Sequence, residues 1–212
     1  MGRSELPRGL YAVTDSQLIP ADELTTRVAQ AIAGGAVMIQ YREKHKPRDV
    51  RQQEAAALQA LCRERRVPLI INDDIDLAAM VGAAGVHLGR DDASIEQARE
   101  QLGPRAFIGV SCYNRFERAR AAAAAGASYV AFGRFYPSAT KPGAVQAEPD
   151  LLEQARAQLD LPLVAIGGIT PENAAGLVAA GADLLAVIHG VFGQPDVEAA
   201  ARRYAALFEA SG

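Results

Sequence analysis

Eight short apolar runs, each followed by a turn and most by an Ala-rich stretch of helical periodicity, constrain this chain more than any other feature. The runs cover residues 9–13, 37–41, 69–71, 85–88, 107–110, 129–132, 163–166 and 184–188. They are continuously apolar instead of alternating with polar residues, which is the pattern of strands covered on both faces. Helical stretches between them include 21–33, 47–65, 94–102, 115–125 and 171–180. Strand and helix alternate with no hairpin signal, so the expected sheet is parallel. Half of the residues are hydrophobic yet only 6% are aromatic. The core must therefore be built from Ala, Val, Leu and Ile, which suits helices packed on strands more than a β-sandwich. The expected fold is α/β, a single (β/α)8 (TIM) barrel over residues 1–212, with its active site at the C-terminal ends of the strands. A doubly wound open sheet is the alternative; eight regular units without a second domain favour closure.

An internal echo supports the repeat. Gly34-Gly35-Ala36, Gly82-Ala83-Ala84-Gly85, Gly126-Ala127-Ser128 and Gly181-Ala182-Asp183 precede the second, fourth, sixth and eighth runs. Glycine just past a helix supplies a left-handed cap, so these turns belong to the floor of the barrel and carry stability. The formal charge of −3 gives no general attraction for nucleic acid or an anionic membrane, so phosphate binding must be local. No apolar stretch reaches the length of a membrane span or a signal peptide. Cys62 and Cys112 lie far apart and outside any metal-ligand spacing, which fits a reduced, cytoplasmic protein.

In a closed barrel the residues that follow each strand face one mouth. The second run ends in Gln40-Tyr41-Arg42-Glu43-Lys44, where Gln40, Arg42 and Lys44 alternate and share one face. The third is followed by Asn72-Asp73-Asp74, the fourth contains His87 and leads to Arg90-Asp91-Asp92, and the fifth leads to Ser111. A longer loop after the sixth, residues 133–147, carries Ser138, Ala139, Thr140 and Lys141. Gly167-Gly168 follows the seventh, and Ile188-His189-Gly190 closes the eighth. One carboxylate of each acidic pair reads equally well as a helix cap, because Asp is a preferred N-cap and Ser94 with Gln97 has capping-box spacing. Carboxylates from two adjacent strand ends can also converge on Mg²⁺, which takes one or two of them and fills its shell with water and phosphate. The neighbouring Gln, Arg and Lys suit phosphate oxygens. Gly167-Gly168, with Pro171 at the start of a helix, suggests a second phosphate cradle. His87 also reads as a structural hydrogen-bonder, His45 as exposed, and Cys112 as inert.

Taken in order, several motifs resemble one family. They are Gly9-Leu-Tyr-Ala-Val-Thr-Asp15, Gln40-Tyr-Arg-Glu-Lys44, Ile71-Asn-Asp-Asp74, Gly85-Val-His-Leu-Gly89 with Asp92, Gly109-Val-Ser111, Pro137-Ser-Ala-Thr-Lys141 and Ala165-Ile-Gly-Gly-Ile169. The series is similar to that of the thiamine-phosphate synthases. The resemblance implies a transferase that joins 4-amino-5-hydroxymethyl-2-methylpyrimidine diphosphate to 4-methyl-5-(2-hydroxyethyl)thiazole phosphate, or its carboxylated form, with Mg²⁺ as cofactor. By that likeness Gln40, Arg42, Lys44 and Asn72 bind the pyrimidine diphosphate, within a substrate segment that includes Tyr41 and Glu43. Asp73 and Asp92 hold Mg²⁺. Ser111 and Lys141 complete the diphosphate side, where Arg42, Lys44, Lys141 and Ser111 are the catalytic set. Ser138, Thr140 and Gly168 contact the thiazole phosphate, within a substrate segment that includes Ala139, with Ile188 and His189 at its far edge. The family often has serine at His189, threonine at Ser138 and arginine at Asp74; Arg90 offsets part of the charge that Asp74 adds. The partners implied are small molecules, not nucleic acid or membrane, and a homo-oligomer is left open.

Three other readings compete. A thiazole tautomerase would not need the metal and pyrimidine-diphosphate set. A sugar-phosphate isomerase or epimerase on the same fold would need a clear acid/base pair and no Mg²⁺. A non-enzymatic binding barrel would hold the phosphates yet release no pyrophosphate.

Overall fold

The computed structural model describes residues 6–89, 92–137 and 146–209. Eight strands form a closed, all-parallel barrel in sequence order, so the open-sheet alternative falls. They are β1 (Gly9–Val13), β2 (Ala36–Tyr41), β3 (Leu69–Asn72), β4 (Gly85–Leu88), β5 (Phe107–Tyr113), β6 (Tyr129–Phe132), β7 (Leu163–Ile166) and β8 (Leu184–Val187). The helices are α1 (Leu24–Ala33), α2 (Arg48–Arg65), α3 (Ile75–Val81), α4 (Ile95–Leu102), α5 (Phe116–Ala124), α6 (Asp150–Gln158), α7 (Ala175–Ala179), α8 (His189–Phe192) and α9 (Val197–Glu209). None of them is long and apolar enough to cross a membrane.

The continuous apolar runs are explained by apolar packing on both sides of the strands. Leu10, Ala12, Ile39, Tyr41, Val130, Phe132 and Leu185 pack outward against the helices. Tyr11, Val13, Met38, Ile70, Tyr129, Ala131, Val164, Leu184 and Ala186 fill the barrel interior. Successive residues thus alternate between two apolar environments, and the period of two disappears from the sequence. The same alternation sends Gln40 inward and Tyr41 outward on β2.

Several boundaries differ from expectation, each for a local reason. The stretch 21–33 divides into a 3₁₀ turn, Ala21–Glu23, and α1. Strand β5 runs beyond residue 110 to Tyr113, with Ser111 still in register opposite Ala131 and a register shift between Ser111 and Tyr113. The helix expected over 171–180 shrinks to α7: residues 171–174 form a turn instead, in which the Asn173 side chain accepts from the Thr170 amide (2.9 Å) and donates to the Gly168 carbonyl (3.0 Å). The glycine turns at the barrel floor are as expected; Gly82, for example, caps α3 at φ 65° with its N–H on the Ala78 and Ala79 carbonyls.

Cys62 and Cys112 are free and fully buried. Burial pushes both thiols up to about 12. At pH ~8 the native protein is therefore expected to react with a thiol reagent roughly 10³-fold more slowly than free cysteine. Both thiols should react fully in denaturant; rapid labelling of native protein would contradict this packing.

Candidate active site

The polar side chains that the strands carry inward meet at the C-terminal mouth. Gln40, Arg42, Asn72, His87, Ser111, Gly168, Ile188 and His189 all line one cavity of about 420 Å³. Arg42 is oriented by its own backbone, whose amide donates to the buried Thr14 hydroxyl at 3.0 Å. Beside the cavity, Lys44 forms an ion pair with Asp73 at 2.9 Å. Asp73 and Asp92 hydrogen-bond each other, and Asp92 also accepts from the Gly89 amide at 2.5 Å.

This carboxylate pair is electrostatically uneven. Burial raises the Asp73 carboxyl, but hydrogen bonds from Lys44 and Asp92 and the Lys44 charge outweigh it and hold the group below its ordinary value. Burial and the neighbouring Asp73 push Asp92 up, against the Gly89 amide and Lys44. Two carboxyls within reach of each other resist joint ionisation unless a cation lies between them. Asp73 also adopts φ 64°, a left-handed conformation that Asp tolerates better than most residues. The donor set fits a hard divalent cation, which needs one or two carboxylates and leaves its remaining positions for water and phosphate.

The second acidic residue of β3's end has the capping role. Asp74 caps α3 by accepting from the Leu77 amide (2.9 Å) and pairs with Arg51 at 2.9 Å. Its charge is thus offset by Arg51, while Arg90 and Asp91 lie outside the described residues. Ser94 and Gln97 form the expected capping box on α4.

Two residues of the β2 segment point away from the cavity. The Tyr41 hydroxyl donates to Glu54 of α2 at 2.7 Å. Glu43 accepts from the His45 and Lys46 amides (2.7 and 3.3 Å) and so ties down the loop into α2. Burial raises its carboxyl, but the Ser16 hydroxyl, these amides and the Lys46 charge hold it below the ordinary value. Their side chains shape the segment that carries Arg42 and Lys44. His45 is exposed, as expected.

Ser138, Ala139, Thr140 and Lys141 lie outside the described residues. Both ends of their loop are fixed: Phe135 and Tyr136 donate to the Ile166 and Gly167 carbonyls (3.2 and 3.0 Å), and the Ala147 amide donates to the Arg134 carbonyl (2.7 Å). This contact also accounts for the glycine pair after β7. Gly168 has φ 63°, and a Cβ there would sit 2.7 Å from the Tyr136 carbonyl oxygen. His189 and Gly190 open α8, where the first amides of a helix have no partner within it.

Tyr11, Tyr129 and Arg134 were not legible as site residues. Arg134 lines the cavity, and its place at the end of β6 was the available signal. Tyr11 and Tyr129 read as core because they sit inside apolar runs. Their hydroxyls are 3.0 Å apart across the barrel, and this link joins Gln40 to His87.

A model of the family described as thiamine monophosphate synthase matches residues 10–191. The chain is 55% identical over 197 residues to a thiamine-phosphate synthase of Nitrosococcus oceani, covering 93% of this chain and 91% of that one. It is 54% identical over 204 residues to one of Marinobacter nauticus, covering 95% and 91%. Among solved structures, a thiamine phosphate pyrophosphorylase from Pyrococcus furiosus superposes with a TM-score of 0.87 at 34% identity, over 98% of each chain.

Proposed function

The chain belongs to the thiamine monophosphate synthase family and is a transferase, and on that premise we propose the reaction, cofactor and residues that it uses. It couples 4-amino-5-hydroxymethyl-2-methylpyrimidine diphosphate with 4-methyl-5-(2-hydroxyethyl)thiazole phosphate, or its carboxylated form, giving thiamine phosphate and pyrophosphate. The observation that carries this reading is the Asp73–Asp92 carboxylate pair, with Lys44 on it, beside a cavity lined by Gln40, Arg42, Asn72 and Ser111.

The bond between the pyrimidine methylene and the diphosphate oxygen breaks, and its electron pair leaves with the diphosphate. The exocyclic carbon is then part of a cation delocalised into the aminopyrimidine. The thiazole nitrogen donates its lone pair to that carbon. Asp73 and Asp92 would hold Mg²⁺, which when bound supplies positive charge to the departing diphosphate. Arg42, Lys44 and Lys141 stabilise the same charge, and the Ser111 hydroxyl donates to one of its oxygens. Gln40 and Asn72 orient the pyrimidine. Ser138, Thr140, the Gly168 backbone and the first turn of α8, with Ile188 and His189, hold the thiazole phosphate on the opposite side. No enzyme nucleophile is required. A cytoplasmic location and small-molecule partners belong to the same reading.

The test is to incubate purified protein with both substrates in Mg²⁺ and measure thiamine phosphate and pyrophosphate. Equal amounts of the two products are expected, lost on chelation and restored by Mg²⁺. Absence of pyrophosphate release, or turnover of a sugar phosphate without Mg²⁺, would overturn the proposal.

A further inference from the structure

Beneath the cavity, five polar side chains form a continuous chain of hydrogen bonds across the barrel. Gln40 Nε2 donates to the Tyr11 hydroxyl at 2.6 Å. Tyr11 and Tyr129 hydroxyls are 3.0 Å apart, Tyr129 lies 3.1 Å from His87 Nδ1, and His87 Nε2 lies 2.9 Å from Ser111 Oγ. Tyr129 is fully buried and stacks on the His87 ring, with 5.7 Å between ring centroids. It pairs with Gly109 of β5, one layer below the Ala131–Ser111 pair. Tyr129 therefore reaches the cavity only through its neighbours.

Counting donors gives this chain a direction. The Gln40 amide nitrogen can only donate, so the Tyr11 oxygen accepts from it. The Tyr11 hydrogen then goes to its other partner, Tyr129, whose own hydrogen goes to His87 Nδ1. With Nδ1 accepting, the neutral ring carries its proton on Nε2 and donates to Ser111 Oγ. Ser111 is left with its hydrogen directed to the cavity that it lines. In the reverse direction the Tyr11 hydrogen would be buried with neither of these two partners to accept it, which folded proteins avoid.

We propose that Tyr129 is a positioning residue which, with Tyr11, holds His87 as the Nε2–H tautomer and so fixes Ser111 as a hydrogen-bond donor to a substrate anion. The part played by Ser111 rests on the reaction proposed above; the tautomer does not. Nitrogen NMR of the full chain with ¹⁵N-histidine, near pH ~8 where an ordinary imidazole is neutral, should show a protonated Nε2 and an unprotonated Nδ1 for His87. A protonated Nδ1 overturns the proposal, and this reading needs no variant. Tyr129→Phe should abolish the tautomer preference and lower kcat/KM by about tenfold, the scale of one hydrogen bond to a charged group. In a Ser111→Ala background the same change should cost less than about twofold, because the relay acts through Ser111. Losses that multiply instead would mark Tyr129 as merely structural and overturn the relay. If the wild type made no thiamine phosphate, the functional reading would fall while the spectrum still decided the tautomer.

Discussion

Asp73→Asn is expected to lower kcat/KM for thiamine phosphate formation by at least about 10²-fold at saturating Mg²⁺, the scale of losing one charge-stabilising group at a reacting centre. The substitution keeps the shape of the side chain, and Asn tolerates the φ of 64° that Asp73 adopts. The fold should therefore survive, and the loss should be chemical. Asp74→Asn is the contrasting measurement. Asp74 caps α3 through the Leu77 amide, and Asn serves that role about as well. Its activity should stay within about threefold of wild type, since only a peripheral charge paired to Arg51 is removed. Equal losses for both variants would mean that the acidic pair has no division of labour.

The second large effect is on stability. Gly109 lies under the Tyr129 ring, and a Cβ there would overlap the ring and its hydroxyl. That ring cannot step aside without breaking the bonds to Tyr11 and His87. Gly109→Ala should therefore destabilise by about 3 kcal/mol, the upper part of the usual overpacking range. For a chain of this size that is a fall of roughly 6–12 °C in Tm. Activity should fall with it, because a displaced Tyr129 releases His87 and Ser111. Gly176→Ala is the matched control: it lies in α7 with open space where its Cβ would go. There the change should leave Tm unchanged or raise it slightly. A Gly109→Ala protein as stable as wild type would contradict this packing of Tyr129 in the barrel interior.

The barrel was legible because every strand is covered on both sides, so each left a compact apolar run. Residues 129–132 and 163–166 are β6 and β7 without change. At two of the places where the outline failed, a polar residue was the local cause. The start expected at Pro171 failed because Asn173 satisfies Thr170 and Gly168 locally. The end of β5 was missed because Ser111 interrupts the apolar run at the register shift.

In the site, the period of two separated Gln40 and Arg42 from Tyr41 and Glu43 more sharply than the motif did. The motif treated the segment as one unit, whereas the pleat sends Tyr41 to Glu54 on α2. The acidic pairs were ambiguous because a cap and a metal ligand share the same residue type. The bond from the Leu77 amide identifies Asp74 as the cap, and the contact between Asp73 and Asp92, from different strand ends, supports Asp73 as the proposed ligand. The Tyr11–Tyr129 link was invisible because it joins residues 118 positions apart and both rings read as core.

The most direct test of this account is a crystal structure grown with Mn²⁺, pyrophosphate and thiamine phosphate, read by anomalous scattering. A Mn²⁺ peak held by Asp73 and Asp92 is expected, with pyrophosphate against Arg42, Lys44 and Ser111. A metal peak elsewhere, or pyrophosphate bound away from the Gln40–Ser111 side of the cavity, would contradict it.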